Sequence, residues 1–306
     1  MFGKNDIEEL LRVLKKECGR SMGVQKKAGI VCCSNGQPSA NREQIEALKN
    51  TLQRINITPV FSDFIYEKNS VASGTARERA DALMQFYRDD SVEEIFDISG
   101  GDIANEILPY LDFSVIAESG KRFWGYSDLT TIINAIYAKT GKASVLYQVR
   151  NLIYGHAGRQ IEDFCSTVCE GTERLFSFAY EWVQGQHMEG IVVGGNIRCL
   201  LKLAGTEYWP DMRDKILLLE AYGGTVPQMT AHLAQLSQLG VFGQVQGILL
   251  GAFTKMEAAN ESPSMTELVR RFAGGDIPIA KTRWIGHGTD AKGVVVGGRS
   301  PLKMGE

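Results

Sequence analysis

Phe123-Trp124-Gly125-Tyr126-Ser127-Asp128-Leu129 is the stretch on which the fold turns. Its first residues are aromatic and apolar, as in a buried strand. From Leu129 onward, apolar residues recur at helical spacing through Ile132, Ile133 and Ile136. A strand that turns into a helix through Gly-x-Ser lifts the Ser127 hydroxyl out of the backbone and sets it at a helix N-terminus. This is the mechanics of a nucleophile elbow, although the residues read G-Y-S-D and not G-x-S-x-G. A serine hydroxyl alone is a weak nucleophile; it needs a base, and the base needs an orienting group. Two later residues are of the right types. Glu220 ends the run Ile216-Leu217-Leu218-Leu219, a buried-strand pattern with a carboxylate at its C-terminal end. His287 lies in Gly286-His287-Gly288, with little side-chain bulk around the ring. Each residue also has an ordinary reading: Ser127 as a helix N-cap, Glu220 as a solvated or ion-paired strand end, His287 as an exposed loop residue.

Outward from this stretch, strands and helices alternate. Ile30-Val31-Cys32-Cys33 and Ile95-Phe96-Asp97-Ile98 read as short strands, and Val60-Phe61 as the start of another. Ile45, Leu48, Leu52 and Ile55 form one helical stripe; Ala76, Ala80, Leu83 and Phe86 form a second. Such alternation predicts a parallel sheet with helices on both faces. Ligands in such sheets sit off the carboxyl ends of the strands, where both Gly100-Gly101 and Ser127 fall. Residues 149–166 read as a polar, glycine-containing linker. Beyond it we expect a helix over about 175–183, a strand at 191–193, a helix at 197–203, the Glu220 strand, and further strands at 248–250 and 294–296. The expected organisation is an α/β fold: an N-terminal helical extension (1–27, with Ile7, Leu10, Leu11, Leu14 and Cys18 at helical spacing), a three-layer N-terminal domain with a parallel sheet (28–148), the linker, and a smaller mixed α/β C-terminal domain (167–306). Ser127 then lies in one domain and Glu220 and His287 in the other, so the active site is expected at the domain interface. Gly194-Gly195-Asn196 reads either as an anion cradle at a helix N-terminus or as a tight turn capped by Asn196.

Composition narrows the classes. The 306 residues are 44% hydrophobic and 23% charged, ordinary for a protein with a large core. The 33 basic and 36 acidic residues leave a net charge of −3 with no basic block, so nucleic-acid binding has no electrostatic support. No run reaches the length of a membrane span and no secretory leader is expected. The six cysteines (Cys18, Cys32, Cys33, Cys165, Cys169, Cys199) match no zinc framework and are expected as free thiols in a reducing cytoplasm. Four histidines without H-x-x-x-H spacing, and no phosphate-binding glycine loop, imply neither metal nor cofactor.

Six segments in order carry a resemblance that spans about 28–302. They are Gly74-Thr75-Ala76-Arg77-Glu78-Arg79-Ala80; Ile98-Ser99-Gly100-Gly101 followed by Ile107-Leu108-Pro109-Tyr110-Leu111-Asp112; Trp124-Gly125-Tyr126-Ser127-Asp128; Val193-Gly194-Gly195-Asn196 followed by Leu203-Ala204-Gly205-Thr206; Leu217-Leu218-Leu219-Glu220; and Gly286-His287-Gly288. Together they resemble the LD-carboxypeptidase family of serine peptidases, which also contains the microcin C immunity peptidases. The resemblance implies Ser127 as nucleophile, His287 as general base and Glu220 as its orienter, with an oxyanion hole from the backbone N–H groups of Gly101 and Asp128. Gly100, Asn196 and Trp284 are candidate substrate contacts. The chain differs from the family at Cys32-Cys33-Ser34-Asn35-Gly36, at Ser99-Gly100-Gly101-Asp102, and over residues 221–232. The implied reaction releases the terminal D-alanine of a muropeptide tetrapeptide in cell-wall recycling, by a cytoplasmic homodimer. The alternatives are cleavage of an aminoacyl- or peptidyl-nucleotide amide, favoured if Trp124 and Trp284 offer stacking faces, and non-catalytic muropeptide binding.

Overall fold

The computed structural model describes residues 26–303; the expected N-terminal helix lies outside them. The described chain forms two compact units. The first takes the residues up to Leu129 together with Tyr147–Ser177. The second takes Thr130–Leu146 and the residues from Phe178 on.

In the first unit, β1 (Lys26–Val31), β2 (Ile57–Phe61), β3 (Glu94–Asp97) and β4 (Arg122–Gly125) lie parallel in the order β2-β1-β3-β4. The last four residues of β1 and all of β3 are buried without alternation, as parallel strands covered on both faces must be. The strand expected to begin at Val60 is already under way at Ile57 and ends at Phe61. It contains Pro59, which removes a ladder donor and is tolerated because β2 lies at the sheet edge. Between strands run the helices Arg42–Arg54 and Ala76–Arg88; Thr75 and Glu78 close the start of the second with a capping box.

The core of this unit corrects one expectation. Residues 149–166 are not a linker. They hold a 3-10 turn, Val149–Ile153, and most of the helix Ala157–Glu170. The apolar face of that helix is the physical reason: Ile161, Phe164, Cys165 and Val168 are buried. Phe164 lies 5.7 Å from both Trp124 and Phe96, and Tyr147 and Phe176 complete the ring cluster around Trp124 at 6.2 and 6.3 Å. The Trp124 indole N–H donates to Glu94 Oε2 (2.8 Å), which a buried tryptophan requires.

The second unit contains β5 (Ser144–Leu146), β6 (Glu181–Gln184), β7 (His187–Asn196), β8 (Lys215–Ala221), β9 (Gly247–Phe253), β10 (Ile279–Lys281), β11 (Val294–Val296) and β12 (Arg299–Lys303). Six of them form one sheet in the order β12-β7-β8-β9-β10-β6, parallel from β7 to β10 and antiparallel at both edges. β5 and β11 pair antiparallel. The helix expected at 175–183 is absent; Glu181–Gln184 instead extends along β10 as an edge strand. The core gathers Val193, Leu217, Leu219, Ile248 and Leu250 from the strands with Leu233, Leu236, Leu268 and Val269 from the helices Val226–Gln238 and Met265–Ala273.

The helix Thr130–Thr140 belongs to this second unit, although it follows Ser127 in the chain. Asn134 clips it to the end of β7: its Nδ2 donates to the carbonyls of Thr130 (2.7 Å) and Gly194 (2.9 Å), and its Oδ1 accepts from Gly194 N–H (2.8 Å). Gly194 takes φ +101°, and a Cβ there would collide with the Leu218 carbonyl. Both the backbone angle and the close approach therefore demand glycine. Gly194→Ala is expected to lower stability by roughly 2–4 kcal/mol, read as a shift in the urea midpoint without a change in slope.

Candidate active site

Strand β4 runs into a short 3-10 turn, Ser127–Leu129. Ser127 has φ +58°, a left-handed conformation that costs a non-glycine residue about 1–2 kcal/mol. Tyr126 and Asp128 on either side are buried while Ser127 is partly exposed. The chain therefore turns out of β4 at a partly exposed serine set between two buried neighbours.

The neighbouring loops of the first unit are tied together by buried polar groups. The Asp128 carboxylate, fully buried, accepts from Ser34 Oγ (2.7 Å) and from Ala104 N–H (2.9 Å) through Oδ2. Ser34 N–H donates to Ser99 Oγ (3.0 Å), and Ser99 donates to Asp97 through both N–H (2.7 Å) and Oγ. Asp97 also accepts from Cys33 N–H (2.8 Å). Asn35 braces the glycine loop: its N–H donates to Gly100 O (3.1 Å) and its Oδ1 accepts from Asp102 N–H (3.2 Å). Gly101, at φ +120°, packs so closely on Asn35 that any Cβ would overlap it. Arg79, from the Gly74–Ala80 segment, is 1% exposed and donates to the carbonyls of Gly74, Cys33, Ser34 and Ile103, and to the Glu106 carboxylate. One guanidinium thus fastens the loops after β1 and β3, as its fixed fork of five donors allows. Sequence reasoning missed Ser34, Asn35 and Asp97 as supports; an aspartate inside an otherwise apolar strand was the available signal.

In the second unit Glu220 and His287 come together. His287 Nδ1 lies 2.9 Å from Glu220 Oε2; the carboxylate is fully buried and the imidazole side chain is 18% exposed. Glu220 pairs in register with Asn196 across β7 and β8. On its other side the ladder to β9 shifts register between Leu219 and Ala221, a bulge opposite Glu220. Ala252 in that bulge donates its N–H to Ile285 O (2.7 Å), which seats the loop two residues before His287. Tyr222 lies against the imidazole, ring centroids 5.2 Å apart. Sequence reasoning did not single it out.

The remaining candidates divide. Gly100 has open space around it. Asn196 is 6% exposed and caps the helix Ile197–Leu201, its Oδ1 accepting from Cys199 N–H (3.4 Å), while its own N–H donates to Thr130 Oγ1 (3.0 Å). The turn-and-cap reading therefore accounts for it. Trp124 is wholly buried, which removes it as a stacking face and corrects that expectation. Trp284 is partly exposed, with the Arg283 guanidinium 4.2 Å from its ring centroid. Among the described residues no cluster of His, Cys, Asp or Glu could hold a metal ion, and no helix is long and apolar enough to cross a membrane.

Burial raises the proton affinity of the Asp97 carboxyl, against the pull of its hydrogen bonds to Ser99 and Cys33. A carboxyl with a raised native pKa holds its proton to higher pH in the folded chain than in the unfolded one, so its contribution to stability falls as pH rises from about 4 through the native value. Asp97→Asn is expected to lack that slope, offset by a constant loss of the Cys33 hydrogen bond. Urea midpoints of both proteins across pH 4–8 test this; parallel curves would exclude it.

The chain matches the LD-carboxypeptidase N-terminal domain over residues 28–147 and the LD-carboxypeptidase C-terminal domain over residues 189–302. A Bacillus subtilis protein named "Probable murein peptide carboxypeptidase" is 26% identical over 83% of this chain and 82% of its own length. Two solved structures share the fold. The microcin C7 self-immunity protein in complex with aspartyl sulfamoyl adenosine has a TM-score of 0.81 at 21% identity, covering 92% of this chain and 94% of its own. Muramoyltetrapeptide carboxypeptidase from Oxalobacter formigenes has a TM-score of 0.74 at 20% identity, covering 92% and 96%. With both family domains matched in order, this chain belongs to the LD-carboxypeptidase family of serine peptidases.

Proposed function

We propose that this protein is a serine carboxypeptidase that hydrolyses an L,D-peptide bond and releases the terminal D-alanine of a muropeptide tetrapeptide, in cytoplasmic cell-wall recycling. The observation that carries this reading is the His287–Glu220 contact, an imidazole held at 2.9 Å by a carboxylate without solvent access. Such a carboxylate fixes the ring's tautomer and stabilises its charged form. In the proposed reaction Ser127 Oγ attacks the scissile carbonyl and His287 takes its proton. The tetrahedral oxyanion is received by the N–H groups of Gly101 and Asp128, whose loops the Arg79, Asn35 and Asp97 contacts hold rigid. His287 then gives the proton to the departing amine of D-alanine, and water releases the acyl group from Ser127 by the reverse sequence.

A second reading, cleavage of an aminoacyl-nucleotide amide, draws support from Trp284, a partly exposed aromatic three residues before His287, and from the relative solved with aspartyl sulfamoyl adenosine.

Mass spectrometry of the muropeptide tetrapeptide incubated with the wild type and with Ser127→Ala is the test. Loss of one alanine with the wild type alone is the expected result. Glu220→Gln is expected to lower kcat by about 10²–10⁴-fold with little change in KM. An intact tetrapeptide with both proteins would pass the assignment to aminoacyl-nucleotides. No turnover of either substrate, with no labelling by a fluorophosphonate, would make the chain a muropeptide-binding protein.

A further inference from the structure

Beside the His287–Glu220 pair stands a cation that the reaction above does not use. Tyr222 follows the end of β8, and Lys255 lies in the short helix Thr254–Ala258 that follows β9. Both are at the carboxyl ends of parallel strands, the side on which such sheets bind ligands. Lys255 N–H donates to Tyr222 O (2.9 Å), which fixes the two strand ends to each other. The Lys255 ammonium is 5.2 Å from the centroid of the Tyr222 ring, and the His287 imidazole is also 5.2 Å from it. Tyr222 is half exposed, so this face is open to solvent. The acids nearest Lys255 in the chain are engaged elsewhere: Glu257 pairs with Lys281 (3.0 Å) and Glu261 accepts from Val226 N–H (2.8 Å). Lys255 makes no ion pair with any described carboxylate.

We infer that Lys255 binds the free α-carboxylate of the residue that leaves, with Tyr222 as a positioning residue that spaces the ammonium from the imidazole. The inference rests on the carboxypeptidase reading above and names the group that makes it a carboxypeptidase and not an endopeptidase. A carboxylate that sheds water on entering a site needs a charged partner. Each group lies 5.2 Å from the same ring centroid, so ammonium and imidazole are at most twice that distance apart. An extended residue spans about 3.5 Å. With a hydrogen bond of about 2.8 Å at each end, a leaving alanine reaches on the order of 9 Å, from the imidazole that protonates its amine to the cation that holds its carboxylate. That reach falls within the bound that their shared distance from the Tyr222 ring places on the two groups.

The test is calorimetric titration of Ser127→Ala, which cannot turn substrate over, with the tetrapeptide and with its C-terminal amide. The acid is expected to bind about 10- to 100-fold more tightly than the amide. Adding Lys255→Met is expected to erase that preference, and Lys255→Arg to keep most of it. Tyr222→Phe is expected to leave the preference intact, because the ring and not the hydroxyl is used, whereas Tyr222→Ala is expected to reduce it. Equal binding of acid and amide, a preference that survives Lys255→Met, or no binding of either peptide overturns the inference. So does a loss, in Lys255→Met, of affinity for aspartyl sulfamoyl adenosine but not for the tetrapeptide. Wild-type turnover, measured in parallel, separates the two readings: a preference lost in Lys255→Met without any wild-type hydrolysis upholds the carboxylate site while the hydrolase reading fails.

Discussion

A carboxylate closed off from water needs a partner, and in the second unit that partner is His287. Removing an ionised group from solvent costs several kcal/mol unless hydrogen bonds and opposite charge offset it. Glu220 ends a run of four buried aliphatic residues, so its backbone position is dictated by core packing. The surrounding irregularities serve the meeting of these two side chains. The β8–β9 register shifts opposite Glu220, and the extra length of β9 carries the bond from Ala252 to Ile285 that seats the histidine loop. A regular ladder would leave that loop without its anchor.

The first unit solves a different problem, that of holding three loops in fixed relation to one another. The means are polar and buried. Arg79 gathers carbonyls from the loops after β1 and β3, and the chain of contacts Asp97–Ser99–Ser34–Asp128 runs from the end of β3 to the turn after β4. Each member is satisfied by another, which is the condition under which buried polar networks rigidify a structure. The strain at Ser127 is sustained inside that frame.

Much of this was legible in the sequence because the signals were local. A strand, a Gly-x-Ser turn and a helical stripe predict an elbow, and an apolar run ending in a carboxylate marks a candidate orienting acid, though not its burial. The helical stripe Ala76, Ala80, Leu83 and Phe86 and the Gly100-Gly101 loop were likewise marked by residue type. What escaped depends on contacts distant in the chain. Residues 149–166 look polar when read in order, yet Ile161, Phe164 and Val168 fall on one helix face and cover Trp124. The strand at Arg299–Lys303 was missed because Pro301 and its charged neighbours suit only a sheet edge. Tyr222 stood next to Gly223-Gly224 with no periodic pattern to mark it, and its meaning comes from His287 and Lys255, which lie far along the chain.

The interleaved path of the chain also fixes the order in which the protein can fold as it is made. On the ribosome, β1 to β4 emerge first, but the aromatic cluster around Trp124 stays open until Phe164 and then Phe176 have been synthesised. Before that happens, the helix Thr130–Thr140 is already outside, and the strand end that Asn134 clasps, at Gly194, is still to come. The nascent chain thus carries an unfinished first core and an orphan helix at the same time. The first core closes about when residue 177 appears, and the helix waits for the strands of the second sheet.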